Sequence, residues 1–305
     1  MKLRHGQAVA LMVLVTLLWS TAGVVARQLE SARSFELTFW RSAFTALSLL
    51  VILPLWQGRG VWRRMRSGRW LLWASGACWA LMYTAFMVAL TLTSVANVLV
   101  MMACGPLLTA LLSRALTGHR LPARTWMAIL MAGSGIAWMF WQQLGRGNWL
   151  GSLVALGVPA AAALNWTLVQ RNQARGDALD LVPAVLIGGL LSALWTLPLA
   201  WPLQASTTDV AWLAALGLGQ LAVPSVLAVL CARSLSAPEV SLLALLEILF
   251  GIALAWLGAD EVPSASVLQG GVLVLGALLG NEWLAYRSRS RLLPADGSLL
   301  SEPAR

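Results

Sequence analysis

One carboxylate of the 305-residue chain falls deep inside an apolar run. Glu247 lies within LLALLEILFGIALAWLGADEVP, residues 242–263, ten positions after Ala237. A carboxylate at the centre of a lipid bilayer is costly, so it must face a wet cavity, find a partner or stay protonated. Its own helix supplies no counter-charge, because i−4, i−3, i+3 and i+4 are Leu243, Ala244, Phe250 and Gly251. Two readings stand: a group that anchors a substrate amine or relays a proton, and a protonated side chain bonded to a neighbouring helix. Arg41, two turns into another apolar run, can pair with Glu36 or a helix end, or receive a substrate carboxylate.

The other candidates are polar or aromatic residues at helical spacing. Trp79 and Tyr83 are i, i+4, as are Thr16 and Ser20, while Asn97, Met101 and Cys104 follow one face. Gln220 stands one turn before Pro224 and Ser225, and Asn165 precedes Trp166. Polar side chains in lipid-buried helices either bond to a neighbouring helix or line water. The candidate substrate-binding set is Trp19, Ser20, Trp79, Tyr83, Asn97, Met101, Asn165, Trp166, Gln220 and Glu247. Packing alone explains any single member. Few charges accompany them, which suits a largely neutral substrate such as an amino acid zwitterion with an aromatic or aliphatic side chain. Met82, Met101 and Met102 add adaptable apolar surface.

Other chemistries lack their parts. Lys2 is the only lysine, so no phosphate-binding GxxxxGK[ST] loop exists. His5 and His119 are the two histidines, too few for a Ser-His-Asp constellation. Cys78, Cys104 and Cys231 stand apart, with no Cys-x-x-Cys pair. No catalytic residue, metal ligand or cofactor is expected.

The elements that position these residues follow from composition. Hydrophobic residues make up 59% and charged residues 11%, against roughly 25% charged in an ordinary soluble domain. A spanning helix needs ~20 mostly apolar residues, and the chain offers ten such stretches. They are Gly6–Ala26, Phe35–Pro54, Trp70–Leu92, Val95–Ala115, Ala123–Trp141, Trp149–Val169, Leu181–Trp201, Val210–Leu230, Ala237–Leu257 and Ser266–Tyr286. The first is too long and lacks the cleavage site of a signal peptide. Residues 291–305 read as a polar, disordered cytoplasmic tail.

Charge orients the spans. Seventeen of the 21 basic residues, including the run Arg59-Arg63-Arg64-Arg66-Arg69, fall on one side; Arg27, Arg33 and Arg146 fall opposite. The positive-inside rule then places both termini in the cytoplasm. The +9 net charge is explained by topology and needs no nucleic-acid partner. Trp56, Trp70, Trp126, Trp149, Trp201 and Trp212 fall where an aromatic belt lies.

A repeat organises the whole. MMACGPLLTALLSRALTGHRLP (101–122) and LLALLEILFGIALAWLGADEVP (242–263) align so that Pro106 and Glu247 each precede a proline by 16 positions. Two halves follow, residues 1–145 and 146–290. Five spans is an odd number, so the second half enters the membrane from the opposite side. The predicted fold is an all-α membrane protein of ten transmembrane helices in two inverted five-helix repeats, an arrangement that places a substrate site near the midplane. Trp19 and Trp166 take equivalent places in the first helix of each half, as belt residues or as gates at opposite ends of one cavity. Small-residue stripes, Gly270-Gly271-Gly276-Gly280 and Ala128-Ala132-Gly133-Gly135, predict close helix packing.

With LLWSTAGVVARQL, ELTFWRSAFTALSLL and GPLLTALLSRALTGHRLP in the first half, and ALNWTLVQR, LLEILFGIALAWLGADEVP and LQGGVLVLGALLG in the second, the chain resembles the drug/metabolite transporter superfamily of the EamA type over residues 6–286. It departs at His119, where the family often has Glu, and at Pro106, matched by Glu247. The resemblance implies a bacterial inner-membrane transporter, of a family whose members export amino acids and lipophilic cations. The reading taken is export of amino acids or related metabolites, with proton coupling as one of the roles open to Glu247. The packing stripes, read as joining the halves of one chain, make a monomer the expectation over a dimer. The rivals are an exporter of lipophilic or quaternary cations, with Glu247 and the aromatics as the cation site, and a non-transporting scaffold or intramembrane enzyme.

Overall fold

The computed structural model describes residues 3–21, 34–66, 70–93, 95–118, 121–139, 141, 149–174, 179–259 and 265–290. His119, Asp260 to Pro263 and the tail at 291–305 lie outside them. The described residues form helices only: α1 His5–Ser20, α2 Ser34–Gln57, α3 Gly60–Arg66, α4 Trp70–Leu92, α5 Val95–Met102, α6 Gly105–Thr117 and α7 Ala123–Met139 in the first half. The second half holds α8 Trp149–Gln173, α9 Pro183–Ala200, α10 Thr207–Ala215, a π-helical turn Leu216–Ala222, α11 Val223–Cys231, α12 Ala237–Ala244, α13 Leu246–Ala259 and α14 Ala265–Ser290.

Seven helical stretches among the described residues are long and apolar enough to cross a membrane. α1 and part of α14 are shorter apolar helices. The exposure profile is that of a protein dissolved in lipid. Leu55, Trp149 and Leu257 are 75–81% exposed, whereas Thr45, Ser75 and Ser192 are fully buried. Small hydroxyl residues lie between helices and aliphatic ones face outward, because hydrocarbon tails solvate leucine and cannot solvate hydroxyls.

Local chemistry explains the ends and the interruptions. Gly118 closes α6 with φ +67, the left-handed geometry that glycine takes without strain. Ser236 opens α12 with a capping box: its N–H bonds to Glu239 Oε2 at 2.8 Å. Two spans expected to be continuous are broken. The fourth breaks at Ala103–Cys104, between α5 and α6; Pro106 has no N–H for the carbonyl of Met102. The ninth breaks at Leu245, between α12 and α13, where Leu245 N–H bonds Leu242 O at 3.2 Å and Ile248 N–H bonds Leu245 O at 3.1 Å. Cys104 and Leu245 occupy the same place in the repeat register that pairs Pro106 with Glu247. Pro224 likewise offers no N–H to the carbonyl of Gln220, and the preceding turn widens to π geometry.

Packing is reciprocal between the halves. α1 packs on α11, α12 and α13, while α8, its counterpart, packs on α4, α5 and α6. α2 packs on α9, and α7 on α14. One hydrophobic core runs from Ala8 to Leu278, so the halves share a core. Glycines set the closest approaches: a Cβ on Gly135 would meet Gly270 O at 2.8 Å, and one on Gly76 would meet Ile187 at 2.5 Å. The small-residue stripes of the fifth and tenth spans thus meet within one chain at Gly135 and Gly270.

Candidate functional site

The rings gather where α4 and α8 cross. Trp79 lies edge-on to Trp166, with centroids 5.5 Å apart at 85°, and 5.7 Å from Tyr83. Edge-to-face contacts of this kind add about 0.5–1.5 kcal/mol each beyond area burial. All three residues are buried. Tyr83 OH donates to Ser225 Oγ at 3.0 Å, tying α4 to α11 just beyond the π turn. Ser75, one turn before Trp79, donates to Asn165 Oδ1 at 2.6 Å.

The π turn carries Gln220, whose Nε2 donates to the carbonyl of Trp19 at 3.1 Å; its Oε1 is buried without a hydrogen-bond partner among the described residues. Widening the turn brings the chain against α2: a Cβ on Gly217 would lie 2.6 Å from Phe44 Cβ and 2.8 Å from Arg41 O. Arg41 is buried on α2 and interacts electrostatically with Tyr83 and Glu247. Glu247, half-buried, sits in the first turn of α13, directly after the break. A carboxylate in that position is favoured by the unsatisfied N–H groups and positive dipole end of the helix.

Of the sequence candidates, Trp79, Tyr83 and Trp166 are joined by ring contacts and Asn165 is bonded to Ser75, one turn before Trp79; Gln220 bonds instead to the backbone of Trp19, and Glu247 stands on α13. Met101 is placed apart, in a small apolar cluster with Ala89, Val98 and Ala155. Asn97 lies on α5 with its side chain outside the described residues. Ser20 is buried and, among the described residues, bonds back to its own helix, to Leu17 O at 2.7 Å. Trp19 is half-buried at the end of α1, whereas Trp166 is buried well inside α8. Their environments therefore differ, although their places in the two halves are comparable.

Glu36 does not pair with Arg41. Its Oε1 accepts from the N–H groups of Gln204 and Ala205 at 2.8 and 2.7 Å and from Trp40 Nε1 at 3.3 Å. Sequence reasoning missed a second polar chain: Ser42 and Thr84 each lie 2.9 Å from Ser192 Oγ, and Trp195 Nε1 donates to Thr84 Oγ1 at 2.7 Å. It binds α2, α4 and α9 together. The signal was Ser192, alone in the apolar run VLIGGLLSALW.

At the opposite end of the molecule, Gln170 Oε1 accepts from Ser113 Oγ and from Ala237 N–H, both at 3.2 Å. Arg233 pairs with Asp180, and His5 Nε2 lies 3.6 Å from Glu239 Oε1. These contacts join α1, α6, α8, the end of α11 and α12.

This is a multi-pass helical membrane protein with a buried aromatic cluster where α4 and α8 cross. Residues 6–141 match the EamA-like transporter family, so the resemblance read from the motifs is borne out over that stretch. An uncharacterized transporter of Pseudomonas aeruginosa is 27% identical over 157 residues, covering 50% of this chain and 52% of its own length. The chain thus spans about half the length of that curated relative in the match. A solved crystal structure superposes with a TM-score of 0.72 over 94% of this chain and 99% of its own, at 17% identity. At that identity the likeness shows the fold alone. Both the family matched over residues 6–141 and the relative matched over half its length are described as transporters.

Proposed function

We propose that the chain is a secondary transporter of the bacterial inner membrane that exports neutral or aromatic amino acids, or related small metabolites, by alternating access. In this reading ten spans form two inverted five-span repeats, both termini are cytoplasmic, and the protein works as a monomer. The observation that carries it is the reciprocal packing of α1 and α8, each against the broken helix of the other half. Halves interlocked in this way can rock about a site between them. The rings of Trp79, Tyr83 and Trp166 supply apolar surface, and Glu247 holds either a substrate amine or a proton.

The cation-exporter reading is weaker on one ground: Arg41 interacts electrostatically with the same carboxylate. A lipophilic cation would meet that positive charge, whereas a zwitterion would match both.

The test is uptake and counterflow of a labelled amino-acid panel in proteoliposomes, with and without a pH gradient. Movement of neutral amino acids without movement of lipophilic cations supports the proposal; movement of neither overturns it. Glu247→Gln keeps the hydrogen-bonding shape and cannot ionise. If Glu247 relays a proton, the variant is expected to keep exchange and lose any response to the pH gradient; if it anchors an amine, binding of amine-bearing substrates is expected to weaken about tenfold or more at every pH. A variant indistinguishable from the parent in both assays would reduce Glu247 to a packing role.

Topology has its own test. Thr208 is exposed at the start of α10, and Ser206 caps that helix by accepting from Asp209 N–H at 3.0 Å. After replacement of the three native cysteines, Thr208→Cys is expected to react with an impermeant thiol reagent in intact cells. Protection until lysis would reverse the orientation.

A further inference from the structure

We propose that the groove between the ends of α4 and α8 holds the head group of an anionic phospholipid, with Arg171 receiving its phosphate. The groove is lined by Trp70 and Leu71 at the start of α4 and by Leu168, Arg171 and Asn172 near the end of α8. It has about 280 Å³ of empty space, counted to its open mouth. It is separate from the ring cluster. Arg171 lies five residues beyond Trp166, and Trp70 nine before Trp79. At the rise of an α-helix these residues are displaced by roughly 8–14 Å toward the helix ends.

The lining selects the ligand. Arg171 is exposed and, among the described residues, has no hydrogen-bond or ion-pair partner. Other arginines at helix ends are committed: Arg233 pairs with Asp180, Arg124 donates to Leu284 O at 3.1 Å, and Arg287 lies over the Trp283 ring at 3.7 Å. An uncommitted guanidinium offers a phosphate two parallel hydrogen bonds. Asn172 cannot add to them, because its Nδ2 donates to Leu179 O at 2.6 Å and its Oδ1 accepts from Leu179 N–H at 3.1 Å. The rest of the lining is apolar: Leu71 and Leu168 are buried, and Trp70 is 67% exposed at the first residue of a span. Indole rings in that position sit at the depth of the lipid head groups. One free cation on an otherwise apolar wall matches a phosphate that carries acyl chains. A soluble phosphate would need more donors than the groove holds.

The segment before α4 supports the same occupant. In α3, Val61 is buried and Trp62 and Met65 pack on the core, whereas Arg63 and Arg66 are exposed. This is a short basic helix with an apolar face inward, the pattern that draws anionic lipid to a membrane surface. Four residues separate Arg66 from Trp70, so their Cα atoms lie within roughly 14 Å. The positive face of α3 and the groove therefore share one patch of surface. α4 belongs to the first half of the chain and α8 to the second, so a lipid seated here touches both.

The experiment titrates the purified full-length protein, in uncharged dodecyl maltoside micelles, with dioleoylphosphatidylglycerol or dioleoylphosphatidylcholine. The readouts are the unfolding midpoint and the lipid retained in native mass spectrometry. Phosphatidylglycerol is expected to raise the midpoint and to be retained in preference to phosphatidylcholine. Arg171→Gln is expected to weaken its apparent affinity about fivefold. Arg59→Gln removes the same charge from an exposed turn outside the groove and is expected to leave the affinity within about twofold. Arg171 is exposed, so its variant is expected to unfold at the parent midpoint without lipid; should it not, the affinity of Trp70→Ala decides, expected to be weaker than that of the parent. Equal weakening in the Arg171 and Arg59 variants overturns the site in favour of diffuse surface charge. Equal retention of the two lipids by the parent overturns it as well. A midpoint raised as far by inorganic phosphate alone, and lost in Arg171→Gln, overturns the lipid in favour of a soluble anion.

Discussion

Gly188→Ala is expected to cost about 1–3 kcal/mol of stability, seen as a lowered unfolding midpoint in detergent. The added Cβ would overlap Trp79 Cβ and would also meet Ala80 N and Gly76 O, each at 3.2 Å. None of these atoms can rotate away, since all belong to the backbone or to the first side-chain carbon. α9 must therefore move off α4, and Gly76 against Ile187 on the same interface gives it no space on the other side. Gly133→Ala is the matched control, since nothing lies within 4 Å of its Cβ position; a change within about 0.5 kcal/mol is expected. Equal midpoints for the two variants would show that close approach at Gly188 contributes nothing to the fold. Because α4 carries Trp79 and Tyr83, a Gly188→Ala protein that does fold is expected to bind aromatic ligands more weakly, by displacing both rings.

Trp79→Ala is the other large effect. Trp79 is 2% exposed and packs on both Trp166 and Tyr83. Truncating a buried tryptophan typically costs about 3–5 kcal/mol, from lost contacts and the cavity left behind. An alanine scan of the ring cluster thus mixes unfolding with loss of transport. Trp79→Phe separates them. Its ring refills most of the space and removes an indole N–H that has no partner among the described residues, so the stability loss is expected to be much smaller. If the cluster forms the apolar wall of the substrate site, Trp79→Phe changes the ranking of aromatic against aliphatic amino acids in competition assays. A ranking identical to the parent, in a protein of near-parent stability, would return Trp79 to helix packing.

What the sequence by itself determined was the class of molecule. Composition alone demanded lipid, because 59% hydrophobic residues with 11% charged leave more apolar surface than a core can hide, and each long apolar run had to be helical to satisfy its own backbone. The register pairing Pro106 with Glu247 was legible too, and the helical path breaks two residues before each of those positions, at Cys104 and Leu245. The breaks themselves were not legible, since Leu245 is an ordinary helix former in an apolar run and only its backbone bonds reveal the turn.

Only the tertiary structure decided which polar residues meet. Trp79 and Tyr83 share a helix face, so their proximity followed from spacing. Tyr83 with Ser225, Ser75 with Asn165, and Gln220 with Trp19 are contacts between helices far apart in sequence, fixed by how the spans cross. Spacing on a helix says nothing about that crossing. For the same reason Met101 ended in a separate cluster. Helical periodicity selects the face each span buries. Glycines such as Gly188, Gly217 and Gly135 select which face it is buried against, through backbone approaches that only the folded chain displays.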